Sequence, residues 1–132
     1  MVLRAMVLIT CLAASPATAQ DSEMGAVIFQ DFCATCHGPD GSGNGPMAEL
    51  LAIPTPDLTR LAARNDGVFP TGSVVLQIDG RTSVLAHGGD MPLFGRFFQG
   101  GADIAMKAPS GQPILTSQPI ADLVAWLESV QQ

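Results

Sequence analysis

Basic side chains are scarce in this sequence. Six Lys and Arg stand against twelve Asp and Glu among 132 residues, which gives a formal net charge of −6 at neutral pH. A surface of this sign repels phosphate groups, so neither nucleic acid nor an anionic membrane is an expected partner. Proteins with basic docking faces are the natural alternative. The chain also lacks internal repeats and blocks of like charge.

Long apolar runs are missing as well. The run from Ala5 to Ala14 is too short to span a bilayer, which takes about 20 residues. With Arg4 before it and an A-x-A site after it, this run is typical of a signal peptide. The sequence therefore predicts a signal peptide over residues 1–19, cleaved after Ala19. The mature domain, residues 20–132, then has no transmembrane segment and a net charge of −7, from five basic and twelve acidic residues.

Cysteine occurs only three times, which limits metal and thiol chemistry. Cys11 lies in the predicted signal peptide, where Thr10 and the short run before it disfavour a lipoprotein anchor. Cys33 and Cys36 form one C-x-x-C pair, but zinc needs four ligands and usually a second such pair, which is absent. A thioredoxin-like dithiol would follow a strand, whereas the residues before Cys33 are typical of a helix.

The same pair belongs to the motif Cys33-Ala34-Thr35-Cys36-His37, the signature of covalent haem attachment. Cysteines three apart on a helical turn share a face, so both sulfurs can form thioethers with one porphyrin. His37 can then ligate the iron. The chain has one such motif and is expected to carry one haem c. Because bacterial thioether attachment takes place outside the cytoplasm, the motif agrees with export, and we expect a periplasmic protein.

Glycine and proline are abundant, with fourteen and ten residues respectively. A short chain that is rich in turn formers buries little apolar surface from side chains alone. A buried porphyrin would supply a large apolar plate for the side chains to pack against, much as a structural metal does in other small domains. The length of the mature chain predicts a single domain.

A helix is predicted at each end of the mature chain. The first opens at Asp21 or Ser22, both good N-caps, and places Gly25 and Phe29 on one face. The last covers the patterned stretch 120–127.

The last helix has its own start signals and an apolar face. Ser117 would cap it and Pro119 suits its first turn, while Leu123 and Trp126 share a face. Glycine lets an aromatic side chain approach a helix backbone closely. We therefore expect the two terminal helices to cross at Gly25.

With Gly25 and Phe29 at the family's spacing before Cys33, the chain resembles the class I cytochromes c over essentially its whole mature length. The resemblance implies an all-α class I cytochrome c fold, in which short helices and loops wrap round one covalently bound haem and the N- and C-terminal helices cross. It also implies His37 as the proximal iron ligand. In this family a Gly-Pro carbonyl accepts a hydrogen bond from that histidine, which assigns the role to Pro46 of Gly45-Pro46.

The distal ligand is expected from the loop around Met91. Pro92 favours an extended conformation at Met91, flanking glycines permit a tight loop, and class I cytochromes take their methionine from a downstream Met-Pro. A thioether favours reduced iron and raises the potential relative to bis-histidine ligation. His87, Met106 and Met47 stay as alternative ligands, and an open site that binds a small molecule is a further alternative.

The intervening chain predicts short helices and one long loop. Helices are expected over 47–52, over 56–61 with Thr55 as N-cap, and over 73–79, where a strand competes. The turn at 66–67 follows from Asp-Gly, and residues 99–116 are expected to form a long loop. Side chains that could wall the haem or neutralise its propionates are Phe94, Phe97, Phe98, Arg81 and Arg96.

Ligation by His37 and Met91 leaves iron without an open position, which favours one-electron transfer over substrate chemistry. The leading hypothesis is thus an exported monohaem electron carrier, not an enzyme, that works as a monomer in transient complexes with redox proteins. One alternative is a haem c subunit of a larger oxidoreductase complex. An open-site haem sensor or peroxidase is a further alternative.

Overall fold

The computed structural model describes residues 20–81, 91–98 and 103–132. The predicted signal peptide, the alternative ligand His87 and part of the predicted 99–116 loop lie outside these residues. The described elements are α1 (Ser22–Phe32), α2 (Ala34–His37), α3 (Thr71–Asp79), β1 (Asp103–Lys107), β2 (Pro113–Ser117) and α4 (Gln118–Ser129), with 3-10 turns at Ala48–Leu50, Leu58–Arg60 and Ala63–Asn65.

Helix α1 begins as predicted. Asp21 is its N-cap, and the Asp21 carboxylate accepts hydrogen bonds from the amides of Glu23 and Met24 at 3.0 and 3.1 Å. These bonds satisfy two of the backbone N–H groups of the first turn, which have no acceptor within the helix. Gly25 and Phe29 are the buried residues of the helix, so its inner face is the one that the spacing predicted.

Helix α4 also lies where it was predicted, but the serine that was expected to cap it makes no hydrogen bond through its side chain. Ser117 occupies the N-cap position, yet its hydroxyl makes no capping hydrogen bond and is buried without a partner. Instead, the buried Asp122 links the two helices. Its carboxylate accepts from the backbone amide of Asp21 at 2.8 Å and from the side-chain Nε2 of Gln118 at 2.6 Å. The N-terminus of α1 is therefore tied to the first turns of α4.

The two terminal helices cross at Gly25, which confirms the prediction. A Cβ atom on Gly25 would overlap the carbonyl oxygen of Asp122 and lie 2.6 Å from its carbon. One turn further along, the rings of Phe29 and Trp126 pack with centroids 4.1 Å apart. Phe29 is 1% exposed, so this crossing forms the centre of the core.

The remaining core lies between α3, α4 and a β-hairpin. Val74, Val75 and Ile78 of α3 are buried, which confirms the helix and excludes the competing strand. They belong to one apolar cluster with residues of both terminal helices and of the hairpin.

Residues 103–117 correct the prediction of a long loop. Strands β1 and β2 pair antiparallel with Asp103 opposite Ser117 and Lys107 opposite Pro113. The turn between them contains Gly111 with a φ of 83°. Met106 and Thr116 are the buried residues of the two strands, so alternate positions face the core. The fold is mainly helical, with this hairpin as an addition to the all-α architecture that was expected.

The segment between α2 and α3 is more tightly wound than predicted. The expected helix over 47–52 is a single 3-10 turn, and the helix expected after Thr55 is a second one. Asp57 rather than Thr55 caps that second turn, since its carboxylate accepts from the Thr59 amide and hydroxyl at 2.9 and 2.6 Å. The turn predicted at Asp66 and Gly67 is present, with positive φ at both residues.

Replacing Gly25 with alanine is expected to lower the free energy of unfolding, because forcing a methyl group into a packed contact costs about 1–3 kcal/mol and the contact here is with backbone atoms. The higher helix propensity of alanine, about 1 kcal/mol, offsets only part of this cost. Urea unfolding of the haem-loaded protein measures the change.

Gly72→Ala is the matched control, because Gly72 is also helical but its Cβ would lie 3.6 Å from Ile114 Cδ1, an ordinary contact. Gly72→Ala should therefore be neutral or slightly stabilising. Equal unfolding midpoints for the two variants would contradict the role assigned to the helix crossing.

Candidate haem site

A single apolar cleft joins the residues of both predicted ligand regions. Its volume is about 710 Å³, within the usual range for cofactor and ligand pockets. The proximal region contributes Cys33, Cys36 and His37, and the distal region contributes Met91 and Pro92. Apolar side chains from α1, α3, α4, the 51–61 segment and the loop after Met91 line the rest: Phe29, Phe32, Leu51, Ile53, Leu58, Leu61, Val74, Ile78, Phe94, Leu123 and Leu127.

The two cysteines lie at the junction of α1 and α2. The Cys33 amide bonds the Phe29 carbonyl at 2.9 Å, and the His37 amide bonds the Cys33 carbonyl at 2.9 Å, so the helical path continues through the motif. Gly38 then ends it with a φ of 79°. Both cysteines line the cleft and neither forms a disulfide.

The environment of Cys33 disfavours thiolate chemistry. Burial, and to a lesser extent the nearby Cys36, raises the pKa of the Cys33 thiol to about 11. Zinc binding and thiol–disulfide exchange both require the thiolate, which this environment disfavours. Within the described residues, moreover, no group of three or more His, Cys, Asp or Glu side chains is placed to hold a metal ion.

His37 is buried, and its ring is oriented by a proline carbonyl. His37 Nδ1 lies 3.3 Å from the carbonyl oxygen of Pro56. A carbonyl only accepts, so the contact assigns the proton to Nδ1 and leaves Nε2 as the basic nitrogen. Burial lowers the pKa of His37, while the Pro56 contact acts in the opposite direction. The ring is therefore neutral at neutral pH, as metal ligation requires.

This contact corrects the role predicted for Pro46. Gly45 packs against the backbone of α2, where its amide bonds the Cys36 carbonyl at 3.1 Å, and the Met47 amide bonds the Thr35 carbonyl at 2.9 Å. Pro46 is held between them on the exposed side of α2. The chain then makes the 3-10 turn Ala48–Leu50 before it returns, so Pro56 is the proline whose carbonyl reaches His37.

The distal wall depends on contacts between the Met91 loop and the end of α3. The Phe94 amide bonds the Ile78 carbonyl at 3.0 Å. A Cβ atom on Gly95 would overlap the carbonyl oxygen of Asp79, so the loop approaches the α3 backbone as closely as a glycine permits. Gln77 Nε2 lies 4.0 Å from the Met91 sulfur.

The structure separates Met91 from the other methionines that were considered. Met106, on β1, is 4% exposed and belongs to the core cluster, and Met47 is 40% exposed. Neither lines the cleft. His87 lies outside the described residues. Among the described methionines, Met91 is the one on the cleft wall.

The three phenylalanines after Met91 have different positions. Phe94 lines the cleft, Phe98 is buried, and Phe97 is 63% exposed. Phe32, which also lines the cleft, contacts all three, with ring centroids 4.9 to 6.5 Å apart.

The two arginines considered for the propionates do not line the cleft. Arg81 forms an ion pair with Asp79 and donates to the Leu115 carbonyl at 2.7 Å, which links α3 to the hairpin. Arg96 is exposed.

Sequence reasoning missed Pro56 and Gln77. Four prolines lie between residues 39 and 56, and their spacing alone cannot say which carbonyl returns to His37. The sequence indicated Gln77 only weakly, because it follows Ser73 by one helical turn beside the apolar positions of α3. In the structure both side chains line the cleft.

The lining of the cleft fits a haem. Two cysteines and a buried, neutral histidine lie on one side, a methionine lies on the distal loop, and the surface between them is mostly apolar. A second concavity of about 550 Å³ near Gly43–Pro46 contains none of these groups.

In the described residues, no helix combines the length and apolar character that crossing a membrane requires.

The comparisons with known proteins agree with this site. The family model described as Cytochrome c matches residues 22–131, from the first residue of α1 to the penultimate residue of the chain, beyond α4. Searches of curated proteins and of solved structures find no significant match. The matched range contains both walls of the cleft and the helix crossing. The chain therefore belongs to the cytochrome c family, with that family's fold, and is an electron-transfer protein with covalently bound haem c.

Proposed function

We propose that this cytochrome is an exported one-electron carrier whose iron ligands are His37 and Met91, with thioethers at Cys33 and Cys36. The observation that carries the proposal is the placement of all four side chains on the walls of one cleft. Bound haem supplies a one-electron couple at its iron. Two protein ligands leave no coordination position open, so the arrangement favours electron transfer over substrate binding.

The proximal residues hold the ring of His37 in one orientation. The Pro56 carbonyl accepts from Nδ1, which fixes the tautomer and makes Nε2 a better donor. Pro56 is itself held near the 3-10 turn that Asp57 caps, and the Gln131 side chain bonds the Leu58 carbonyl and the Ala62 amide at 2.8 and 2.9 Å. The C-terminus of the chain thus supports the loop that orients the ligand.

The apolar walls support fast electron exchange. Leu123 and Leu127 of α4 and Val74 and Ile78 of α3 line the cleft and are less than 10% exposed. They exclude water from the space between the ligands. When a haem site contains little water and has rigid neighbours, its surroundings rearrange little as its charge changes by one unit. The reorganisation energy of electron transfer is therefore small.

The acidic charge supports redox proteins with basic docking faces as the partners. The proposed exchange point is the surface beside Cys33, where Phe32 and Phe97 are exposed and pack with centroids 4.9 Å apart. Asp31, the residue before Phe32 in the chain, is also exposed. An apolar centre with an acidic neighbour suits a basic-rimmed partner in a small, short-lived complex. The predicted signal peptide supports the periplasm as the location of this exchange.

The first test is an optical spectrum of the haem-loaded protein, oxidised, reduced, and reduced with carbon monoxide. Methionine ligation predicts a weak far-red band in the oxidised protein and no response to carbon monoxide. A strong carbon monoxide shift at neutral pH would contradict the proposal and indicate an open iron.

Met91→Ala should remove the far-red band, lower the reduction potential and allow carbon monoxide to bind, because the distal position loses its thioether. Spectroelectrochemistry measures all three changes. Met47→Ala is the control, since Met47 is 40% exposed and does not line the cleft. An unchanged spectrum of Met91→Ala would rule out Met91 as the ligand.

The rate of electron exchange with a small cationic metal complex should fall as salt rises, because screening weakens its attraction to the acidic protein. Stopped-flow oxidation of the reduced cytochrome measures this rate. An anionic complex of similar size should show the opposite trend. If neither rate depended on salt, the proposed electrostatic steering would be wrong.

A further inference from the structure

The hydrogen-bond pattern of the β-hairpin shows which backbone groups of β1 point away from β2. Pro113 on β2 has no N–H to give to β1, and the Ala108 amide bonds the Gln112 carbonyl at 3.0 Å. Hydrogen-bonded and non-hydrogen-bonded pairs alternate along an antiparallel ladder, so Ala105 and Leu115 form a non-hydrogen-bonded pair. The amide and carbonyl of Ala105 therefore point outward, at the free edge of the hairpin.

The two edges of the hairpin differ in their surroundings. On β2, the outward-pointing carbonyl of Leu115 accepts from Arg81 at 2.7 Å, so that edge is engaged by the chain just after α3. On β1, no described residue hydrogen-bonds the outward backbone groups of Asp103, Ala105 or Lys107, and all three residues are exposed. An edge of this kind is a template for pairing with another strand.

The side chains along this edge are complementary to a second copy of the same strand. Asp103 and Lys107 lie two positions on either side of Ala105, and all three side chains share the exposed face of β1. Two antiparallel copies of β1 centred on Ala105 place each Asp103 opposite a Lys107. A lysine on an edge strand usually discourages pairing, but here the aspartate of the second copy neutralises its charge.

We propose that β1 is a self-association edge, at which two copies of this cytochrome pair their β1 strands antiparallel about a twofold axis through Ala105. The two hairpins then form one four-stranded sheet with the order β2-β1-β1-β2. A twofold contact uses the same patch on both copies and closes at the dimer. The occupant of the edge is thus a second copy of this chain.

The dimer is expected to be weak. Strand β1 has five residues, whereas a standard interface takes about 20–30 residues from each partner. The negative net charge of each copy also opposes association. At low concentration the protein therefore stays a monomer, and the dimer forms as the concentration rises.

The pairing goes beyond the proposed electron transfer and does not depend on which side chain ligates the iron. No residue of β1 or β2 lines the cleft, so substitutions on the exposed face of β1 leave the haem site intact. The optical spectrum of each variant consequently serves as a check that it has folded and bound haem.

Sedimentation equilibrium of the oxidised, haem-loaded protein tests the proposal, from micromolar to millimolar concentration at one fixed salt concentration. The average mass of the unaltered protein should rise from monomer toward dimer. Asp103→Lys and Lys107→Asp each turn two opposite-charge pairs into two like-charge pairs, so each should weaken association by about tenfold. The double variant, Asp103→Lys with Lys107→Asp, restores both opposite-charge pairs and should associate like the unaltered protein.

Net charge separates strand pairing from general repulsion. Asp103→Lys makes the chain less negative and Lys107→Asp makes it more negative, so general repulsion would move association in opposite directions in the two variants. Strand pairing weakens it in both. Glu128→Lys is the matched control, because Glu128 is exposed on α4, outside the hairpin, and the substitution changes the charge as Asp103→Lys does. This control should not weaken association.

A protein that stays a monomer at every concentration would overturn the proposal and leave the edge to an extended segment of a different protein. Association that ignores the charge substitutions, or that the double variant fails to restore, would overturn it as well, since the two copies would then meet through another face. Opposite shifts in the two single variants would indicate general repulsion and contradict the pairing of β1.

Discussion

The close contact between Gly25 and the backbone of Asp122 is the constraint on which the rest of the structure depends. It sets the distance between α1 and α4, and each helix then contributes to the cleft from a fixed position. Helix α1 leads directly into Cys33, while α4 contributes Leu123 and Leu127 to the lining of the same cleft. A side chain at residue 25 would push the two helices apart, so a residue that does not line the cleft constrains the helices that do.

Buried polar groups hold this arrangement at both ends of α4. At its start, the carboxylate of Asp122 accepts from the Asp21 amide, so the N-terminus of α1 cannot slide along α4. Just beyond its end, the partly buried Gln131 bonds the Leu58 carbonyl in the 3-10 turn Leu58–Arg60 and the Ala62 amide after that turn. Buried groups of this kind stabilise little by themselves, but leaving any of them unpaired would cost about 1–3 kcal/mol. They specify one register of the helices, and apolar packing provides most of the stability.

What could be predicted from the sequence was local, and what could not be predicted depended on how the chain returns on itself. The motif at Cys33–His37, the N-cap of α1 and the glycine crossing are short-range patterns with a direct physical meaning, and the structure places these residues as expected. The carbonyl that meets His37 is nineteen residues away, beyond a turn whose path depends on Gly45 packing against α2. The hairpin was missed because Gly111 and the prolines near it indicate turns, while its pairing depends on Met106 and Thr116 packing into the core.

The two walls of the cleft therefore differ in how they are specified. The proximal wall is encoded within five consecutive residues and needs little from the rest of the chain beyond one carbonyl. The distal wall exists only through tertiary contacts, because the Met91 loop takes its position from the backbone of α3 at Ile78 and Asp79, and Arg81 ties that end of α3 to the hairpin. Substitutions in α3 or in the hairpin can thus alter the distal side without disturbing haem attachment.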